Sequence, residues 1–125
     1  MIIGVGIDMV EVDRMDEKVH KSNGFKEKVF SKAEIEFCES KKEKAQHYAA
    51  RFAAKEAFLK ATGKGLLLGY NLSEIEVTSN DDGKPEIALH GSFAAFAKEN
   101  NYNKIHLSIT HVKSMASAVV VIEQE

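Results

Sequence analysis

The sequence predicts an α+β domain in which a mostly antiparallel sheet packs against one long central helix. Three observations lead there. Residues 48–61 hold six alanines and no Gly, Pro or β-branched residue, and Gly63 follows as a stop signal. Alternating runs at 72–78 and 86–90 flank Asn80-Asp81-Asp82-Gly83-Lys84-Pro85 and read as a hairpin. Two further strand-like runs, 105–109 and 116–122, are joined by residues 110–115.

Each element has its own signal. In residues 2–12, Ile3, Val5, Ile7 and Met9 form one alternating set and Ile2, Val10 and Val12 the other, which fits a strand covered on both faces. Gly4, Gly6 and Asp8 share the second set, leaving bare backbone beside a carboxylate. Residues 14–28 interleave basic side chains with Met15, Val19 and Phe25 around Ser22-Asn23-Gly24, predicting a short amphipathic helix and a turn. Ser31 and Glu34 make a capping box behind a Phe30 staple, so another helix starts there, its apolar side carried by Ile35 and Cys38. Phe93, Ala94, Phe96 and Ala97 show helical spacing up to Asn100-Asn101.

The chain of 125 residues fits a single domain spanning 1–125, long enough to bury roughly two thirds of its unfolded surface. A net charge of −2 rules out only a wholesale polycation or polyanion; neither nucleic acid nor membrane is an expected partner. There is no run of 18 apolar residues, and the N-terminal apolar stretch lacks a basic lead and contains Asp8, so it reads as a strand rather than a signal peptide. Cys38 is the one cysteine, which forbids an intrachain disulfide and suggests a cytoplasmic location.

The charges of the central helix are its most informative feature. At about 100° per residue, Ala50, Ala53, Ala54, Ala57 and Ala61 fall on one side, with Tyr48, Phe52, Phe58 and Leu59 opposite. A helix apolar on two sides is mostly buried, yet Arg51, Lys55, Glu56 and Lys60 lie in its seams. Buried charges are paired, metal-bound or turned to a ligand. An anionic ligand with a metal is one reading; an i,i+4 pair of Glu56 with Lys60 at a rim is the other. Asp8 poses the same question: it either accepts backbone hydrogen bonds or joins Glu56 around a hard cation such as Mg²⁺, which takes one or two carboxylates plus water and phosphate oxygens. His106, Ser108 and Thr110 alternate with Leu107 and Ile109, making either a solvated edge or a row of phosphate donors headed by His111. No HExxH or CxxC spacing supports zinc, Gly63-Lys64-Gly65 lacks the rest of a P-loop, and a Ser108–His111–Asp8 triad lacks a nucleophile elbow.

Taken together, these segments resemble the bacterial holo-[acyl-carrier-protein] synthases, the small 4′-phosphopantetheinyl transferases. The likeness covers nearly the whole chain. It rests on Gly4-Val5-Gly6-Ile7-Asp8 with Arg14 after it, the helix start at 30–38, and above all Arg51-Phe52-Ala53-Ala54-Lys55-Glu56-Ala57 with Lys60-Ala61-Thr62-Gly63. Asn80–Pro85, Ser108-Ile109-Thr110-His111 and the strand at 116–123 complete the order. Gly24 departs from the pattern, standing where a basic residue would suit an acidic carrier. The resemblance implies the phosphopantetheinyl transferase fold as a homotrimer with sites at subunit interfaces. It implies transfer of the phosphopantetheine arm of coenzyme A, the co-substrate, to a serine of apo acyl carrier protein, with adenosine 3′,5′-bisphosphate as by-product. It makes Asp8 and Glu56 the Mg²⁺ ligands and places Lys60 on the same phosphates, so that Asp8, Glu56 and Lys60 are the catalytic set. Arg51 and His106 would grip the 3′-phosphate, with Lys55, Ser108 and His111 adding donors and Gly63 closing the helix beside them. Gly83, Lys84 and Pro85 would contact the adenosine from a neighbouring subunit. Glu56, or a metal-bound water it orients, would deprotonate the serine. Arg14, Lys18, Lys21, Phe25 and Lys26 would receive the carrier. Two other classes use the same residues: a Mg²⁺-dependent nucleotide phosphohydrolase, and a non-catalytic coenzyme A or carrier-binding module, which has no need of a carboxylate pair.

Overall fold

Two glycines set the central contact of the molecule. A Cβ on Gly4 would overlap the Ala61 carbonyl oxygen, and one on Gly6 the Ala57 carbonyl oxygen, so helix backbone lies directly on strand backbone where both sequences are bare. In chain order the computed structural model, which describes residues 1–64 and 70–125, contains β1 (Ile2–Glu11), α1 (Val12–His20), α2 (Phe25–Val29), α3 (Lys32–Glu39), α4 (Lys44–Thr62), a 3₁₀ turn (Leu72–Glu74), β2 (Ile75–Ser79), β3 (Pro85–Leu89), α5 (Gly91–Glu99), β4 (Lys104–His111) and β5 (Met115–Glu123).

The architecture is the expected α+β. An antiparallel sheet of order β1-β5-β4 carries α4 on one face, and β2-β3 form a separate hairpin. The alanines of α4 pack with Leu107, Ala118, Val120 and Ile122 of the sheet, while Phe58 reaches Ile75, Val77 and Phe93 on the other side. The first half of α4 anchors a second cluster with α1 and α3, centred on Met15, Phe30, Cys38 and Tyr48. Both flanks of α4 are therefore buried, as its composition requires. The capping box at Ser31 is formed, its hydroxyl accepting from the Glu34 amide at 3.1 Å and the Glu34 carboxylate from the Ser31 amide at 2.8 Å. Gly63 ends α4 at φ 69°.

Two expectations change. The run at 72–78 is a strand only from Ile75, because Glu74 turns to cap α5, its carboxylate accepting from the Ser92 and Phe93 amides at 3.0 and 3.4 Å. The second change concerns β1, which is covered on one face only. Gly4, Gly6, Asp8 and Val10 face α4, whereas Val5, Ile7 and Met9 are 60%, 63% and 64% exposed. His106, Ser108 and Thr110 share that open face, since β4 pairs with β5 as Ser108 opposite Val119 and β5 with β1 as Val119 opposite Ile7.

Candidate active site

The glycine contact carries Asp8 to Glu56. Gly4 meets Ala61 and Gly6 meets Ala57, so β1 and α4 run in opposite directions in step. Two strand residues advance roughly 6.6 Å and four helical residues about 6 Å. The next inward residue of the strand, Asp8, accordingly arrives beside the turn of α4 that holds Glu56. Lys60 Nζ donates to Asp8 Oδ1 at 3.0 Å, the aspartate side chain being 16% exposed and the lysine 56%. Glu56 is half-buried. Burial first, and the Asp8 charge second, hold its pKa above the ordinary carboxylate value, against the opposing pull of Lys60 and Lys18. Two carboxylates thus share one patch, and the ammonium within reach bonds to one of them.

The pair lines an open cleft of about 350 Å³ together with Arg14, Lys18, Phe52 and Met115. Its donor set suits a hard cation that keeps water and ligand oxygens. Among the described residues no group of three or more His, Cys, Asp or Glu is placed to hold a metal; a Mg²⁺ ion, which takes one or two carboxylates and keeps several waters, would suit such a pair. Cys38 contributes no nucleophile, since burial pushes its thiol up to about 12.

Of the other residues singled out from the sequence, Lys55 is corrected. Its ammonium is fully buried and donates to Glu34 Oε1 at 2.7 Å and to the Leu72 and Ile75 carbonyls at 3.0 and 2.5 Å. Those three bonds use all its protons, and none is left for a phosphate. Glu56 and Lys60 do not form the alternative i,i+4 pair, because Lys60 reaches across to Asp8. His106 and Ser108 are corrected for one chain: strand alternation sends them to the open face of the sheet, away from Asp8, and His106 Nε2 meets the Glu123 carboxylate. His111, of opposite parity, faces α4 and packs on His47 with ring centroids 5.6 Å apart. Arg51 is 6% exposed, its guanidinium 4.0 Å from the Phe37 ring centroid, and among the described residues its Nε has no hydrogen-bond partner. Gly83 takes φ 81° in an exposed turn whose residues, with Lys84 and Pro85, are absent from the cleft lining.

The docking residues divide. Arg14 and Lys18 line the cleft itself, and Lys18 Nζ stands 5.8 and 5.7 Å from the Phe25 and Phe52 ring centroids. Lys21 and Lys26 line a second depression, with Gly24 between them. Gly24 has φ 82° at the start of α2, a conformation a basic side chain would strain, which explains the departure noted at that position. Sequence reasoning missed Phe37, Lys41 and His47, which gather around Arg51. His47 stands one helical turn before Arg51, the one signal that pointed to it. Gly65, at the end of the helix motif, lies outside the described residues.

Residues 4–120 match the model of the 4′-phosphopantetheinyl transferase superfamily. The chain belongs to that family. It is 43% identical over 124 residues to a holo-[acyl-carrier-protein] synthase of Syntrophus aciditrophicus (strain SB), covering 98% of this chain and 97% of the relative. Among solved structures, it superposes at TM-score 0.82 and 33% identity on a holo-(acyl-carrier-protein) synthase of Bacillus anthracis str. Ames in complex with CoA (3′,5′-ADP), covering 100% and 99% of the two chains. A second transferase, a CoA complex from Chronobacterium ammoniagenes, superposes at TM-score 0.86 and 30% identity over 98% of this chain and 97% of that one. The similarity extends from β1 to β5.

Proposed function

We propose that this chain transfers the 4′-phosphopantetheine group of coenzyme A to a serine of apo acyl carrier protein, releasing adenosine 3′,5′-bisphosphate in support of fatty acid biosynthesis. The observation that carries the reading is the meeting of Asp8 and Glu56 beside Lys60 on a glycine-built contact, in a chain whose relatives are synthases of this kind. Asp8 and Glu56 would hold Mg²⁺, which when bound neutralises charge on the diphosphate as its linkage breaks. Lys60, largely exposed and bonded to Asp8, turns to the leaving phosphate oxygens and stabilises them. Glu56, or a metal-bound water that it orients, would take the proton of the carrier serine. Arg51 and His111 grip the 3′-phosphate, guanidinium and imidazole N–H groups both being suited to phosphate oxygens.

The carrier is acidic in this reading, and Arg14 and Lys18 meet it at the cleft while Lys21, Phe25 and Lys26 extend the contact. Raising salt should therefore weaken carrier binding. The open face of β1, with Val5, Ile7 and Met9, is covered by further copies of the chain in a homotrimer, a closed ring being the way a head-to-tail contact ends. In that assembly His106, Ser108 and the Gly83–Pro85 turn serve a neighbouring subunit's site. Sedimentation of Ile7→Glu as a monomer, against a trimeric parent, is the expected outcome. The reaction proceeds in the cytoplasm; no helix of the described residues is long and apolar enough to cross a membrane. Intact mass of an apo carrier incubated with the protein, Mg²⁺ and coenzyme A should rise by one phosphopantetheine group. An unchanged mass at saturating substrate would remove the proposal.

A further inference from the structure

Where β4 ends against the first half of α4, an imidazole is held among cations. The His47 ring lies 5.6 Å from the Phe37 ring and 5.6 Å from the His111 ring, centroid to centroid, and is half-buried between them. Phe37 also carries the Arg51 guanidinium at 4.0 Å and the Lys41 ammonium at 4.7 Å from its centroid. The charges that act on His47 are Arg51 from its own helix, His111 from β4 and Lys41 from the turn after α3. The acidic groups of the neighbouring elements are engaged or turned outward. Glu34 is bound to Lys55, and Glu39 to Tyr48 and Lys44 at 2.7 and 3.1 Å. Glu36 and Glu43 are exposed, the latter giving His47 only a backbone carbonyl at 3.4 Å. Burial, then Arg51, His111 and Lys41, hold the His47 pKa below its ordinary value. A phosphate dianion seated against Arg51 and His111 reverses that field.

We propose that His47 is a positioning residue that takes up a proton when the 3′-phosphate of coenzyme A binds, making selection of the 3′-phosphorylated cofactor pH-linked. This rests on the transferase reading above. The protonated ring then repels His111 and Arg51 less than the phosphate attracts all three, and the cluster closes on the anion. As pH rises through the interval between the free and bound His47 values, preference for coenzyme A over 3′-dephospho-coenzyme A falls by up to about tenfold per pH unit.

The test follows the His47 ring by NMR across about pH 5 to 8, free and saturated with adenosine 3′,5′-bisphosphate or with AMP, which lacks the 3′-phosphate. The expected result is a midpoint raised by about one unit or more with the bisphosphate and little changed with AMP. Calorimetry of coenzyme A binding in two buffers of different ionisation enthalpy should show proton uptake that His47→Gln diminishes, while the phosphate's own titration is common to both proteins. An unmoved His47 midpoint with bisphosphate bound, an equal shift with AMP, or unchanged uptake in His47→Gln would each overturn the proposal and leave the transferase intact. Failure of coenzyme A to bind the parent protein, together with no mass gain on the carrier, would overturn both.

Discussion

Lys55 and Glu56 are consecutive residues of one helix, and they meet opposite fates. Lys55 is fully buried with three acceptors around its ammonium, and its partner Glu34 is equally saturated, accepting from Lys55, from the Ser31 amide and from the Val77 amide at 2.9 Å. Glu56 is less buried and worse satisfied: it faces the carboxylate of Asp8, and the nearby lysine bonds to Asp8 instead. A charge in a buried helix is therefore no sign of a site by itself. The site is where the charge remains uncompensated at a surface that a ligand can reach, because there a cation or phosphate supplies what the fold has withheld.

The contrast can be broken most sharply through activity. Asp8→Ala and Glu56→Ala should each lower carrier modification by on the order of 10³-fold or more, with urea midpoints unchanged or, for Glu56→Ala, raised. Wild-type turnover in either variant at saturating Mg²⁺ would dissolve the distinction. Lys55→Met should do the reverse, losing about 3–5 kcal/mol of stability in urea unfolding, because Glu34 is left charged and buried without its counterion. Lys55→Met combined with Glu34→Gln should regain part of that loss. If Lys55→Met kept its full stability yet lost coenzyme A affinity, Lys55 would return to the ligand site and the buried pair would lose its structural meaning.

How far the site was legible follows from the same contrast. Asp8 and Glu56 were readable because each is an anion at a position where alternation or helical phase demands an apolar residue, and the bare Gly4-Val5-Gly6 segment beside an alanine face already implied close backbone contact. Periodicity also reported that α4 is buried on both sides. It could not report partners distant in sequence. Lys55 and Glu34 are 21 residues apart, and nothing local separates a lysine bound to a buried glutamate from one waiting for phosphate. The face of β4 was hidden for another reason: parity groups His106 with Ser108 but leaves open which side of the sheet α4 covers. The β1 pattern predicts two-sided burial, and one chain covers only the side bearing glycine. The family resemblance reached the same residues from motif order, and the family match at residues 4–120 leaves the phosphohydrolase and the simple binding module without support.

The smallest effect sharpens the comparison through pH. Glu56 is held above its ordinary carboxylate value by burial and then by Asp8. Between the ordinary value and the raised one, the native state binds more protons than the unfolded chain, so stability falls as pH rises through that window and the full penalty stands above it. Glu56→Gln should flatten this part of the stability profile. Metal runs the other way. Mg²⁺ needs the deprotonated carboxylate, so the rise in melting temperature that Mg²⁺ confers should disappear as pH falls through the raised Glu56 value, at a higher pH than an ordinary glutamate would dictate. Asp8→Asn separates the two causes of the shift. It removes the like charge and frees Lys60 to approach Glu56, so the stability window should narrow towards the ordinary value while the burial contribution remains. Melting curves of the parent, Glu56→Gln and Asp8→Asn, each with and without Mg²⁺ from about pH 4 to 7, test this directly. A parent protein whose stability rose steadily across that range, and whose Mg²⁺ response did not depend on pH, would show that the two carboxylates do not share a site.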